Sequence, residues 1–297
     1  MRFSMHNWMR PEPLESTVER LARYGYDAIE IMGEPYKYDV KEVRQILKKH
    51  GIVCSGSVSI MLQDRDLTHA DKNQREESVQ YLIDTLKMIE GLGGEVLCLV
   101  PAEVSRVVPH GAAEDCWQRA VESLKRIADV ARKCKVKIGL EPLNRFETCF
   151  LNRHDQAVAL AEAVGDDVGV TLDTFHMNIE EDCPFDAIKA TGAKLFDFHV
   201  ADSNRRPPGQ GQVDFPGIIK ALKSAGYDGW VTSEFVNPVD RTPVGRRPTV
   251  WNTEIPEIPG TPPEQLKFIV DHGSGVLTQE DYDLAVKQTI EYLKSLL

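Results

Sequence analysis

Four side chains able to hold a hard divalent cation close four successive apolar runs in this sequence. Glu141 ends Ile-Gly-Leu-Glu, Asp173 ends Val-Thr-Leu-Asp, His199 lies in Phe-Asp-Phe-His-Val, and Glu234 lies in Val-Thr-Ser-Glu-Phe. Three carboxylates and one imidazole form an oxygen-dominated set that suits Mn²⁺, Co²⁺ or Mg²⁺ better than a thiolate-seeking metal. A charged residue often marks where a strand meets solvent. That explains one or two of the four, but not a ligand type at the end of each successive run. A cation held there could act as a Lewis acid on a carbonyl and acidify the neighbouring C–H. Inverting such a carbon needs one group to take a proton from one face and another to return one to the opposite face.

The elements that must position these groups alternate along the whole chain. Strand candidates are Arg2–Met5, Ala28–Ile31, Ile52–Val58, Val96–Val100, Lys137–Glu141, Val168–Asp173, Leu195–Val200 and Val231–Phe235. Helical patterns lie between them at Leu14–Tyr24, Val40–Lys49, Glu77–Leu92, Glu114–Cys134, Asp155–Val164 and Pro216–Ala225, with a last one at Gln279–Leu297. Strand–helix alternation implies parallel strands, and eight repeats imply closure into a (β/α)₈ TIM barrel. No Ser/Gly or Pro linker divides the interior, so residues 1–297 read as one domain. In such a barrel the ends of strands five to eight converge on one side of the opening where active sites lie. The Pro-rich stretch 237–276 follows strand eight on that face and reads as an extended loop or lid.

Bulk properties exclude several classes. A formal net charge of −11 argues against a nucleic acid or an anionic membrane as partner. The six cysteines make no C-x-x-C pair, which favours reduced thiols over disulfides or a zinc site. The start, Met-Arg-Phe-Ser-Met-His-Asn-Trp, lacks the apolar stretch of a signal peptide, so a cytoplasmic protein is expected.

The runs Glu141-Pro-Leu-Asn-Arg-Phe-Glu147, Leu172-Asp-Thr-Phe-His-Met-Asn-Ile-Glu-Glu181 and Asn204-Arg-Arg-Pro-Pro-Gly-Gln-Gly211 resemble the D-tagatose 3-epimerase/D-psicose 3-epimerase family of xylose-isomerase-like barrels. The resemblance is specific from Lys137 to Phe235 and architectural in the first third. It implies one metal ion on Glu141, Asp173, His199 and Glu234, with Glu141 and Glu234 also the acid/base pair that epimerises a ketose at C3 through an enediolate. It further implies that His176 and Arg205 hold the O1/O2 end of the sugar, that Glu147 holds Glu141 or a substrate hydroxyl, and that the chain forms homodimers or homotetramers. The pocket wall departs from the family pattern: Pro101–Pro109 replaces an aromatic-rich loop, Trp251-Asn-Thr-Glu254 replaces a Trp-Arg-Asp element, and Asp202 stands for a Glu.

Those departures keep a second activity in view, a lyase or deglycosidase subunit that could work with a partner subunit and that eliminates the C1 group of a 3-oxo-glycoside after the same proton abstraction. A phosphodiesterase of the endonuclease IV type would need three zinc ions and a basic surface. Eight histidines and the acidic charge oppose it. Other features read plainly: His6 and Trp8 as pocket lining or packing, Glu34 at the barrel top or in solvent, Asn204 as a turn, and the pairs Arg205-Arg206 and Arg246-Arg247 as loop anchors.

Overall fold

The computed structural model describes residues 1–62, 65–236 and 277–297. Its strands are β1 (Arg2–Met5), β2 (Ala28–Gly33), β3 (Val53–Ser59), β4 (Val96–Leu99), β5 (Lys137–Leu140), β6 (Val168–Asp173), β7 (Leu195–Val200) and β8 (Trp230–Ser233). All pair in parallel in the order β1-β8-β7-β6-β5-β4-β3-β2. His6, just past β1, forms an isolated bridge with Glu30 of β2 and brings the barrel nearly to closure. Strands covered on both faces must be apolar inside and outside, and β2 and β6 are buried at every position.

The helices are α1 (Leu14–Tyr24), α2 (Val40–His50), α3 (Lys72–Leu92), α4 (Ala113–Cys134), α5 (His154–Val164), α6 (Thr174–Glu180), α7 (Pro184–Thr191), α8 (Phe215–Ser224) and α9 (Gln279–Ser295). α3 starts one turn before its apolar periodicity because the Asp71 side chain accepts the Asn73 N–H and caps a polar first turn. α6 and α7 went unread between β6 and β7, since elements this short show too few turns for a period to register. Gly25 ends α1 in the left-handed conformation, as its sequence context predicts. Arg20, buried on α1, pairs with Glu12 and with Asp283 of α9, which ties the last helix to the first. The Pro-rich stretch 237–276, with its expected role as a lid, lies outside the described residues. Among them no helix is long and apolar enough to cross a membrane, and the six cysteines are free.

Two register shifts break the even pairing. Between β2 and β3, Ile29 faces Cys54 but Glu30 faces Gly56; between β6 and β7, Val170 faces Leu195 but Thr171 faces Asp197. Ser55 and Phe196 are the extra residues. Each bulge has a glycine next to it where the backbone leaves no room for a side chain. A Cβ on Gly56 would lie 2.0 Å from the Val96 carbonyl oxygen, and one on Gly169 2.3 Å from that of Lys194 and 2.6 Å from the Phe196 ring. Bulges of this kind re-aim the side chains that follow them. In the second case those are Asp197 and His199; in the first, Glu30 lies on the facing strand, directly opposite the shift.

Candidate active site

Glu141 and Glu234 lie one residue past β5 and β8, Asp173 ends β6, and His199 lies within β7 opposite Asp173. The fold therefore brings all four sequence-predicted ligands to one place, with 0 to 5% of each exposed. One ligand atom from each lies within 4.8 Å of the others. His199 Nδ1 stands 3.6 Å from Glu141 Oε1 and 3.4 Å from Glu234 Oε2.

Each of the four has one atom tethered and another turned to the centre. The Cys98 thiol donates to Glu141 Oε2 (3.2 Å), and the Phe175 N–H donates to Asp173 Oδ1 (2.7 Å). The Trp8 indole N–H donates to Glu234 Oε1 (3.0 Å), and His199 Nε2–H donates to Asp197 Oδ2 (3.1 Å). The atoms left over include Glu141 Oε1, Asp173 Oδ2 and His199 Nδ1, which are buried without a hydrogen-bond partner. Orphaned buried acceptors are costly, and these converge with the composition and spacing a divalent cation requires. Burial, together with the charges of Glu234 and Glu141, pushes the Asp173 carboxyl well above the usual carboxylate range. A cation removes that penalty, so the residues present fit a metal ion.

Beneath this set lies a layer of which the sequence reading had only His6, as pocket lining or packing. Glu30 Oε2 is 3.2 Å from His199 Nε2 and 3.4 Å from His6 Nε2. The His6 ring meets that of His199 edge-on, with centroids 4.7 Å apart. Burial pushes the Glu30 carboxyl up to about 8, moderated by His199, and pulls the His6 imidazole down to about 3. Burial opposes charge on His199 too, but Glu30, Cys98 and Asp197 outweigh it and hold its imidazole well above the ordinary value. Signals for this layer were present. Asp197 sits two residues before His199 and shares its face of the strand, and Glu30 interrupts the apolar run Ala-Ile-Glu-Ile-Met. His6 and Trp8, readable as pocket lining or as packing, are part of the site.

The groups expected to meet substrate surround an adjoining cleft lined by Glu141, Glu147, His176, Arg205 and Glu234 on one side. Arg205 Nη1 donates to Glu147 Oε1 (3.1 Å), and its guanidinium lies 4.8 Å from the Phe175 ring centre. Arg205 occupies the left-handed region (φ 57°), held by its N–H to the Asp202 carbonyl (2.8 Å) and by the Val236 N–H to its own carbonyl (2.6 Å). Glu147 also accepts from Asn144 Nδ2 (2.8 Å). It thus pairs with Arg205 and Asn144 rather than with Glu141, because it sits six residues on, past a turn. The Asn144 backbone N–H donates to His176 Nδ1 (3.2 Å), which leaves the ring proton on Nε2. Glu34, left between barrel top and solvent, pairs with Arg65 (2.9 Å), and Asn204 Oδ1 accepts the Arg206 N–H in a turn. The rest of the cleft lining is Trp8, Val58, Ile60, Met61, Val100 and Val104, among others, with Ser59 the polar exception.

The profile of the xylose isomerase-like TIM barrels matches residues 18–255. A D-psicose 3-epimerase of Ruminiclostridium cellulolyticum is 31% identical over 244 residues, 79% of this chain and 82% of that protein. Another D-psicose 3-epimerase, from Agrobacterium fabrum, is 34% identical over 73% of this chain and 77% of its own. The crystal structure of a D-allulose 3-epimerase from Methylomonas sp. in complex with D-allulose aligns with a TM-score of 0.84 at 23% identity, covering 100% of this chain and 97% of that one. With a nearly closed eight-stranded parallel barrel and a buried His/Glu/Asp cluster at its mouth, the chain belongs to the xylose isomerase-like TIM barrel family, as a sugar epimerase of its ketose 3-epimerase group.

Proposed function

We propose that this protein is a divalent-metal-dependent ketose 3-epimerase. Glu141, Asp173, His199 and Glu234 would hold one ion per chain, Mn²⁺ with Co²⁺ or Mg²⁺ as substitutes. When bound, that ion supplies Lewis acidity to the carbonyl beside the reacting carbon. Glu141 and Glu234 leave β5 and β8, the first and last of the four ligand-bearing strands, and so approach a bound sugar from different directions. One carboxylate takes the C3 proton, an enediolate forms between them, and the other carboxyl returns a proton to the opposite face. Which of them acts first depends on the direction of reaction.

Tethering assists both glutamates. Trp8 on Glu234 and Cys98 on Glu141 fix one oxygen each and leave the second to face substrate. His176, with its proton on Nε2, and Arg205 are assigned to the O1/O2 end of the sugar. Arg205 supplies fixed positive charge where negative charge develops. Glu147 holds Arg205 in place. The observation that carries this reading is the convergence of the untethered ligand atoms on one point, beside a cleft with a polar side. By resemblance, the chain works as a homodimer or homotetramer.

The test is hydrogen exchange. With Mn²⁺ in D₂O, and D-fructose, D-psicose, D-tagatose and L-ribulose in parallel, at least one ketose should acquire deuterium at C3 in both epimers. No exchange with any of them, alongside formation of an unsaturated product from a 3-oxo-glycoside, would make the protein a lyase instead.

A further inference from the structure

Glu30 is the buried acid for which the mechanism above has no use. It is fully enclosed, and neither of its carboxylate oxygens has a hydrogen-bond partner. Neither ring nitrogen of His6, which faces it, has one either. A carboxylate at this depth without a hydrogen bond destabilises a fold, so its place beneath the metal ligands calls for a reason.

The reason lies in what it touches. Glu30 Oε2 is 3.2 Å from His199 Nε2, the ring nitrogen that points away from the candidate metal position. Asp197 Oδ2 is 3.1 Å from the same nitrogen. Asp197 is held in turn, since its Oδ1 accepts the Phe198 N–H (2.9 Å). A carboxylate on the outer nitrogen of a ligating histidine fixes ring orientation and tautomer and makes the inner nitrogen a better donor. Two carboxylates from two different strands do this more firmly than one. The β2–β3 bulge falls immediately before Glu30 and the β6–β7 bulge immediately before Asp197. Each irregularity of strand register thus adjoins one of the two carboxylates at this nitrogen.

We infer that Glu30, with Asp197, is a positioning residue that sets His199 for metal binding from beneath the site, at the expense of the stability of the metal-free fold. This rests on the metal reading above. Glu30 touches neither ion nor sugar; it acts through His199. A purely structural residue, when altered, weakens the fold and leaves the folded protein's metal affinity alone. Glu30 should do the reverse.

The experiment measures Mn²⁺ affinity from the paramagnetic signal of free Mn²⁺, and the unfolding temperature of the metal-free protein, for the wild type, Glu30→Gln, Asp197→Asn, His199→Gln and the double variant Glu30→Gln/His199→Gln. Glu30→Gln should bind Mn²⁺ about 10- to 100-fold more weakly while its metal-free unfolding temperature holds or rises. Asp197→Asn should weaken binding as well. In the His199→Gln background the Glu30 change should alter affinity by about twofold or less, as for a residue whose route of action is already cut. Unaltered affinity in a folded Glu30→Gln protein overturns the inference, and so does an equal loss with and without His199. Should Glu30→Gln fail to fold, Glu30→Asp keeps the charge but draws it back by one methylene. Reduced Mn²⁺ affinity in that variant supports the inference and unchanged affinity refutes it. A wild-type protein that takes up no Mn²⁺ defeats the metal reading itself, and the wild-type arm alone shows that.

Discussion

The ends of β5 to β8 present Glu141, Asp173, His199 and Glu234 to the barrel mouth, whereas β3, β4 and the turns after them present Val58, Ile60, Met61, Val100 and Val104. Both arcs are buried, apart from the half-buried Val104, yet they are assembled differently. On the polar arc each ligand has an assigned partner, namely Cys98, the Phe175 N–H, Asp197 or Trp8, and Glu141, Asp173 and His199 each keep an unsatisfied buried atom. On the apolar arc the side chains satisfy one another by contact, as in any core. The polar arc gives up stability for chemistry. The apolar arc supplies stability and shape, and leaves a sugar few hydrogen bonds on that side.

If that division is right, the largest losses follow changes on the polar arc. Exhaustive chelation should abolish turnover, with Mn²⁺ or Co²⁺ restoring it better than Zn²⁺ or Ca²⁺. Saturating metal, about a thousandfold above its Kd, should add about 4 kcal/mol to the folded state, readable as a higher unfolding temperature. Full activity in protein shown by elemental analysis to be metal-free would end the comparison. Glu141→Gln and Glu234→Gln should each lower kcat by about 10²- to 10⁴-fold, measured alongside metal content. Near-normal turnover in either variant would mean that the acid/base pair is wrongly assigned.

Arg205→Ala should have a smaller effect, because Arg205 sits above the ligands rather than among them. Loss of a charged hydrogen-bond donor removes about 1.5–3 kcal/mol, so kcat/KM should fall by roughly 10- to 100-fold with Mn²⁺ affinity intact. A lowered Mn²⁺ affinity would place Arg205 in the metal set instead. Met61→Ala on the apolar arc should affect turnover least while destabilising the fold by about 2–5 kcal/mol. Chemical denaturation reads the second effect, and unchanged stability would show that this wall is not core.

The polar arc was legible in the sequence because each ligand closes or interrupts an apolar run, and a strand end in a barrel has a known address. Glu147 was legible as a residue but not as a contact. Whether it meets Glu141 or Arg205 depends on the turn at Asn144, whose hydrogen bonds to Glu147 and His176 no spacing encodes. Glu30 and His6 were harder still. They belong to β1 and β2, distant in sequence from every ligand, and they reach His199 only once the barrel closes through the His6–Glu30 bridge. Short helices such as α6 escaped for a different reason: a strand end that doubles as an N-cap, as Asp173 does, leaves no gap in which to see the helix begin.

The bulge at Phe196 carries a consequence of its own. Without that bulge Thr171 would face Phe196 and Asp173 would face Phe198; with it they face Asp197 and His199. The strand therefore keeps count, and its count is off by one on purpose. Side chains at position 196 can vary within the room that Gly169 leaves them, but the offset that the bulge sets between β6 and β7 cannot. Even pairing onward from Leu195 would turn a metal ligand and its brace out of the mouth together, with the composition of the strand unchanged. Along β7, register is the heritable message and spelling is secondary.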